Sequence, residues 1–284
     1  MRYYMIMTAY NEADFIEKTL LSMVKQSFLP KKLVVVDDHS TDITASIVEK
    51  FAKQFPWIEL VRHLSTQEHL PGAKVIQAFQ KGLSTLDADY DFIVKIDADL
   101  IFPTHYFETI RNVFESNSKI GMAGGFAYIQ KEDTWVLEQL TDQDHIRGAF
   151  KAYRKSCFEA IGGLKTSMGW DTVDELLARY YGFDVVTIPS LQVKHLKPTG
   201  ARYDKKSRLL QGESFYKLGY GSILSGIASM KLAIRKNKIS LFIDYMEGYW
   251  KAKINKETML VSPKQAKFVR NFRWNKIKQK ILNA

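Results

Sequence analysis

In the stretch VKIDADLIF (94–102), two carboxylates one residue apart, Asp97 and Asp99, close an apolar run. In an extended backbone, positions i and i+2 point to the same side, so both acids can face one hard cation. Like charges this close require a positive neighbour. Mg²⁺ or Mn²⁺ takes oxygen ligands and lets substrate phosphates complete its shell, an arrangement that stabilises a leaving diphosphate. An isolated D-x-D is more often a solvated turn, but a place at the end of an apolar strand reverses that reading. A second cluster lies in VVVDDHSTD (34–42), where Asp37 and Asp38 end another β-branched run and Ser40 or Thr41 is placed to cap a following helix. A carboxylate there can accept a hydrogen bond from a nucleobase imide N–H. The competing role is structural, with Asp38 capping and Asp42 complementing the helix dipole.

The elements that must carry these groups follow from periodicity. YYMIMT (3–8), KLVVVD (32–37), IELVRH (58–63) and DFIVKID (91–97) are predicted strands, and 12–26, 42–54 and 72–86 place apolar residues at helical spacing. Strand alternating with helix implies a mostly parallel sheet covered on both faces, an α/β fold. Ligands of such sheets bind beyond the carboxyl ends of the strands. Thr8 to Glu12, Asp37 to Asp42, and Asp97 to Asp99 all fall at those ends, so they should share one edge. Pro103 suits the first turn of a helix over 104–116, and KIGMAGGFAYI is a glycine-interrupted strand region.

The 284 residues, 46% of them apolar, suffice for a real core. The single cysteine, Cys157, rules out an internal disulfide, and the opening residues lack a charged leader, so the cytoplasm is the expected compartment. Charge is asymmetric: residues 1–199 hold 22 Lys+Arg against 26 Asp+Glu, and residues 200–284 hold 19 against 5. The chain therefore divides into a part over 1–200 and a basic helical extension over 201–284, expected to pack on it.

MTAYNEADFIEKTLLSMVKQSF, VVVDDHSTD, LPGAKVIQAFQKGL, DYDFIVKIDADLIFP, YRKSCFEAIGG and GWDTVDE occur in one order over roughly residues 3–200. In this they resemble family 2 glycosyltransferases with the GT-A fold, and several ordered motifs weigh more than any one. The resemblance implies a nucleotide-sugar donor, usually a uridine diphosphate sugar, and inversion at the anomeric carbon. It assigns Thr8, Tyr10 and Glu12 to the nucleotide-contacting loop, with Tyr10 stacking on the base, and Asp38 to the uracil. Gly72 and Lys74 fall in the phosphate-side turn, where Lys74 is equally explained as a helix-surface lysine. Asp97 and Asp99 match the D-x-D that holds ribose and metal, and His195 falls where such enzymes place a late histidine on the same cation. A histidine at a strand end can as well be structural.

Direct displacement also needs a base, a carboxylate standing apart from the metal. GWDTVDE offers Asp171, Asp174 and Glu175. The family pattern is an acidic pair followed by an arginine, and this sequence departs from it: counting back from Arg179, the base position lands on Val173. Asp174, at the start of DELLAR, is the favoured base and Asp171, beside Trp170, the second. Trp170 and RGAF (147–150) could line the acceptor side, and Trp170 could equally be core.

The extension mixes apolar and basic residues as an interfacial helix does, and as a core helix with a solvated basic face also does. Its longest uncharged stretch, LGYGSILSGIASM, is well short of the roughly 18–20 apolar residues needed to span a bilayer. Peripheral contact with an anionic membrane on its inner face is therefore the expectation, with no nucleic-acid partner, since no recognised binding motif accompanies the charge. Two other classes compete. An aspartate-based phosphohydrolase expects its acid pair after the first strand, and a phospho-receiver module expects an aspartate after IELVRH, which has none.

Overall fold

The structure is a computed structural model describing residues 1–65, 72–138, 143–197 and 205–282. The chain forms two compact units. The first carries the sheet; the second joins Lys165–Tyr180 to the helices of the basic extension. The division by contact thus differs from the division by composition, because the GWDTVDE segment belongs with the C-terminal helices.

The sheet unit begins with β1 (Tyr3–Ala9), α1 (Ile16–Val24), β2 (Lys32–Asp38), α2 (Thr44–Gln54), β3 (Ile58–His63), α3 (Ala73–Leu83) and β4 (Phe92–Asp97). These strands match the predicted runs to within one residue; the helices are shorter. It continues through β5 (Leu100–Ile101), α4 (Tyr106–Ser116), β6 (Ile120–Lys131), β7 (Thr134–Leu137), β8 (Phe150–Arg154), α5 (Lys155–Ala160) and β9 (Asp184–His195). The strand order is β3-β2-β1-β4-β8-β6-β9-β5, with β7 paired to β6. Strands β3, β2, β1 and β4 are mutually parallel, as are β6 and β9, while β8 runs antiparallel to both β4 and β6.

Every residue of β1 is buried, as a central strand covered on both faces demands. The helices over it present narrow apolar faces, such as Ile16, Leu20 and Met23 on α1. The glycines of AGGF have a steric reason. A Cβ on Gly125 would lie 2.1 Å from the Leu191 carbonyl oxygen, and the β6–β9 register shifts there. Two local expectations change. Tyr106, the first residue of α4, donates its N–H to Pro103 O, so Pro103 sits in the preceding turn and not in the helix. Neither Ser40 nor Thr41 caps α2, which starts at Thr44 without a side-chain cap.

The second unit comprises α6 (Trp170–Tyr180), α7 (Lys205–Lys217), α8 (Gly221–Arg235), α9 (Ser240–Ile254) and α10 (Pro263–Leu282). Its contacts include α7 against α9, α8 against α9, and α10 against α6, the last through an edge-to-face pair of Tyr180 and Phe268. Among the described residues, no helix is long and apolar enough to cross a membrane.

Candidate active site

Parallel pairing aligns the ends of β1, β2 and β4: Thr8 is registered with Asp97 on one side and with Val36 on the other, and Ala9 with Asp37. The three acidic loops therefore share one sheet edge. The first two are tied together. Asn11, in the left-handed region at φ 51°, donates its N–H to Ser40 Oγ, and its Oδ1 accepts from Thr41 N. Glu12 N donates to Thr44 Oγ1, and Asp42 accepts from both Ala13 N and Thr44 N. Partial desolvation works against the Asp42 charge, yet the Thr44 hydroxyl and these N–H groups hold its carboxyl below the usual range. Ser40, Thr41 and Asp42 thus spend their polar groups on joining loops.

Asp37 and Asp38 are both buried, and each keeps an Oδ1 with no hydrogen-bond partner among the described residues. A buried carboxylate oxygen left unpaired is costly, so a ligand N–H is a natural complement. Neighbours on a strand point to opposite faces, so the pair cannot serve one ligand together. Tyr10 is 57% exposed, its ring open for stacking. Thr8 is buried at the same edge.

The D-x-D is held by α1. Thr19 Oγ1 donates to Ala98 O at 2.7 Å and accepts from Leu100 N at 3.0 Å, fixing the turn between the acids. Asp97 N donates to Ala149 O, and Leu196 N to Asp99 O, which ties the turn to the start of β8 and the end of β9. Much of the positive charge demanded by the acid pair comes from the protein. Buried Lys95, two residues before Asp97 on β4, forms an ion pair with it, and His195 Nε2 lies 3.3 Å from Asp99 Oδ2. His195 Nδ1 lies 3.7 Å from Glu138 Oε2, which Arg147 approaches at 3.2 Å.

The titrations follow from these contacts. Burial pushes the Asp97 carboxyl up and Asp99 adds to this, while Lys95 and His195 oppose it. Burial alone would depress the His195 imidazole, but its contacts with Asp99 and Glu138 outweigh that and raise it to about 9. Held protonated, it lies between the two carboxylates with Nε2 toward Asp99; to ligate a cation it must first lose a proton. Glu12 is raised by burial, countered by Lys197 at 2.8 Å and reinforced by Asp99 and Asp97.

Among the described residues, no three His, Cys, Asp or Glu side chains form a ready metal cluster. A divalent ion nevertheless fits what is present. Asp99 Oδ1 is buried with no hydrogen-bond partner among the described residues, and the Asp97 side chain is 34% exposed. Mg²⁺ commonly takes one or two carboxylates and completes its shell with substrate phosphates and water.

In the helical unit, α6 carries Asp171 half-buried and Asp174 and Glu175 buried, with Asp174 Oδ1 accepting from Glu175 N at 2.6 Å. Trp170 is 6% exposed. Tyr220, buried, feels both Asp171 and Glu175: burial chiefly raises its phenol, the two acids add to this, and Arg273 opposes. Gly72, at φ 78°, is required by space as well as backbone, since a Cβ would lie 3.0 Å from Met168 Cα and 3.1 Å from Ser167 O. Lys74 lies in the first turn of α3, partly exposed. Sequence reasoning missed Thr19, Lys95, Glu138 and Lys197. Only Lys95 left a signal, a charge inside an apolar run at i−2 from an aspartate.

A sheet of this order, with acidic loops closing its parallel strands, defines a GT-A fold, and solved structures agree. One is the mannosyltransferase PcManGT of Pyrobaculum calidifontis in complex with GDP-Man and Mn²⁺: TM-score 0.56, 17% identity, 97% of this chain and 80% of that one. Another is Staphylococcus aureus TarS 1–349 in complex with UDP-GlcNAc: TM-score 0.58, 15% identity, 88% and 73%. The profile of Glycosyl transferase family 2 matches residues 4–164, and the chain belongs to that family. Curated relatives include poly-beta-1,6-N-acetyl-D-glucosamine synthases, 21% identical over 184 residues in Staphylococcus epidermidis and 26% over 182 in S. aureus. The match takes in 57% of this chain and 42% of those relatives' length. The family and the place of the D-x-D after β4 leave the phosphohydrolase and receiver readings without support.

Proposed function

We propose that this chain transfers a sugar, with inversion, from a nucleoside diphosphate donor, specifically a uridine diphosphate sugar, to a hydroxyl of a glycan or lipid-linked acceptor. The observation that carries the reading is the alignment of three acidic loops on one edge, where Asp38 and Asp99 each keep a buried carboxylate oxygen with no hydrogen-bond partner among the described residues. Tyr10 stacks on the base and Asp38 accepts the imide N–H. Thr8 and Glu12 shape the first loop, Asp97 meets the ribose, and Gly72 and Lys74 form the phosphate-side turn. Asp97 and Asp99, with His195 as a further ligand once deprotonated, would hold a divalent ion, which would supply charge neutralisation to the departing diphosphate.

The acceptor oxygen bonds to the anomeric carbon as the carbon–diphosphate bond breaks on the opposite face. The acceptor's proton passes to a carboxylate of α6: Asp174, or Asp171 as the second candidate. The named relatives make glycan chains or bind UDP-GlcNAc and GDP-Man, which supports a nucleotide-sugar donor and a cell-envelope polysaccharide as product. Titrating UDP and a panel of nucleotide sugars with and without Mn²⁺ tests this. Metal-enhanced binding of UDP and turnover of a UDP-sugar are expected; absence of both overturns it.

A further inference from the structure

We infer that the α8–α9 hairpin is a docking surface for an anionic phospholipid membrane. Helix α8 carries apolar residues on its outer side as well as among those it buries. Its inner side buries Leu224, Ser225, Ser229 and Ala233. Its outer side exposes Ile223 at 67%, Ile227 at 41%, Met230 at 38% and Ile234 at 66%. At 100° per residue, those four fall within about 60° of arc.

Helix α9 repeats the pattern. Leu241, Tyr245, Tyr249 and Ala252 are buried, while Ile239, just before the helix, and Ile243, Trp250 and Ile254 are exposed along one stripe of similar width. Solvated helices place polar residues where these two contacting helices place isoleucine and tryptophan, and exposed apolar stripes of this kind mark an interaction site.

The charge beside the stripes selects the partner. Residues 221–256 hold seven Lys+Arg and two Asp+Glu. Both acids are engaged, Asp244 by Arg208 at 2.9 Å and Glu247 by Lys251 at 2.6 Å. Exposed Lys231 and Arg235 flank the α8 stripe, Lys236 and Lys238 occupy the connecting turn, and Lys253 lies 4.6 Å over the Trp250 ring. Two-fold pairing of this face with a second copy would set these cations against their own kind. An anionic bilayer accepts both features at once, isoleucines at the acyl boundary and lysines at the phosphates, with tryptophan suited to the headgroup level. Neither helix spans the bilayer, so the hairpin lies on it.

The full-length chain is floated with vesicles of phosphatidylcholine alone or enriched in phosphatidylglycerol, at low and high salt, and sized by sedimentation velocity without lipid. Flotation with the anionic vesicles only, weakened by salt, is expected. Ile234→Ser combined with Ile243→Ser should lower partitioning at least about tenfold. Lys236→Gln with Lys238→Gln should lower it about fivefold per charge. The wild-type minus Trp250→Phe emission difference should shift to the blue on anionic vesicles. UDP binding by the variants, measured without lipid, reports on the sheet unit separately. Equal recovery of wild type with and without vesicles overturns the inference. So does a dimer that Ile234→Ser converts to monomer, which would make a second copy the occupant.

Discussion

Lys95 and Asp97 sit two residues apart on β4 and form an ion pair, the lysine 1% exposed and the aspartate opening toward the sheet edge. The first acid of the D-x-D thus has a cation supplied by its own strand. Lys95→Met should leave Asp97 without it and cost about 2 kcal/mol of stability, a value set below that of a fully buried pair because the aspartate is partly exposed. Urea denaturation measures this. Adding Asp97→Asn should recover part of the loss, and a variant as stable as wild type would show that the pair contributes nothing.

The turn between the acids depends on a hydroxyl one helix away. Thr19→Val keeps the side-chain shape but strands Ala98 O and Leu100 N in a buried place, at a cost of about 1–3 kcal/mol. UDP affinity should fall with it because the Asp99 carboxylate loses its fixed position, and Thr19→Ser should restore both. Calorimetric titration of the two variants decides.

His195 gives stability a pH dependence. Its imidazole is raised to about 9 in the folded protein from about 6.5 in the unfolded chain. The folded state therefore binds the proton more tightly, and this contribution is fully present below about pH 6.5 and lost as pH rises through about 9. Melting temperature in metal-free buffer should decline across that window, and His195→Gln should flatten the decline. An unchanged slope in the variant would assign it to another group.

Donor binding and proton removal can be separated by substitution. Asp99→Asn should abolish metal-enhanced UDP binding. Asp174→Asn should keep that binding and lower kcat by about 10²–10⁴. If Asp174→Asn turns over normally and Asp171→Asn does not, the half-buried acid is the base.

Much of the sheet edge was legible because parallel strands buried on both faces are written as continuous apolar runs, and the acids that end them mark the carboxyl edge. What escaped were partners distant in sequence. Thr19 on α1, Glu138 after β7 and Lys197 after β9 reach the D-x-D turn, His195 and Glu12 respectively only through tertiary folding, and nothing in their local sequence sets them apart. The helix starts were misjudged for a related reason. Ser40 and Thr41 look like caps, but Asn11, 29 and 30 residues away, takes both into a loop contact. The grouping of α6 with the basic helices was likewise hidden, since composition changes near residue 200 and the contacts that define the unit do not.

The helical unit rests on a close crossing that the sequence does not announce. A Cβ on Gly212 of α7 would lie 1.8 Å from Tyr245 O, and one on Gly248 of α9 would lie 2.0 Å from Leu209 O. Backbone meets backbone at both points, so no side-chain rotation can make room, and Gly212→Ala or Gly248→Ala must push the helices apart. Each should destabilise the unit by about 1–3 kcal/mol or more, although alanine favours helix over glycine by about 1 kcal/mol at a neutral site. Gly226 on α8, where a Cβ meets nothing within 4 Å, is the internal control: Gly226→Ala should stabilise. Thermal melts of the three variants test the pair of signs, and a stabilising Gly212→Ala would show that α7 and α9 do not approach this closely.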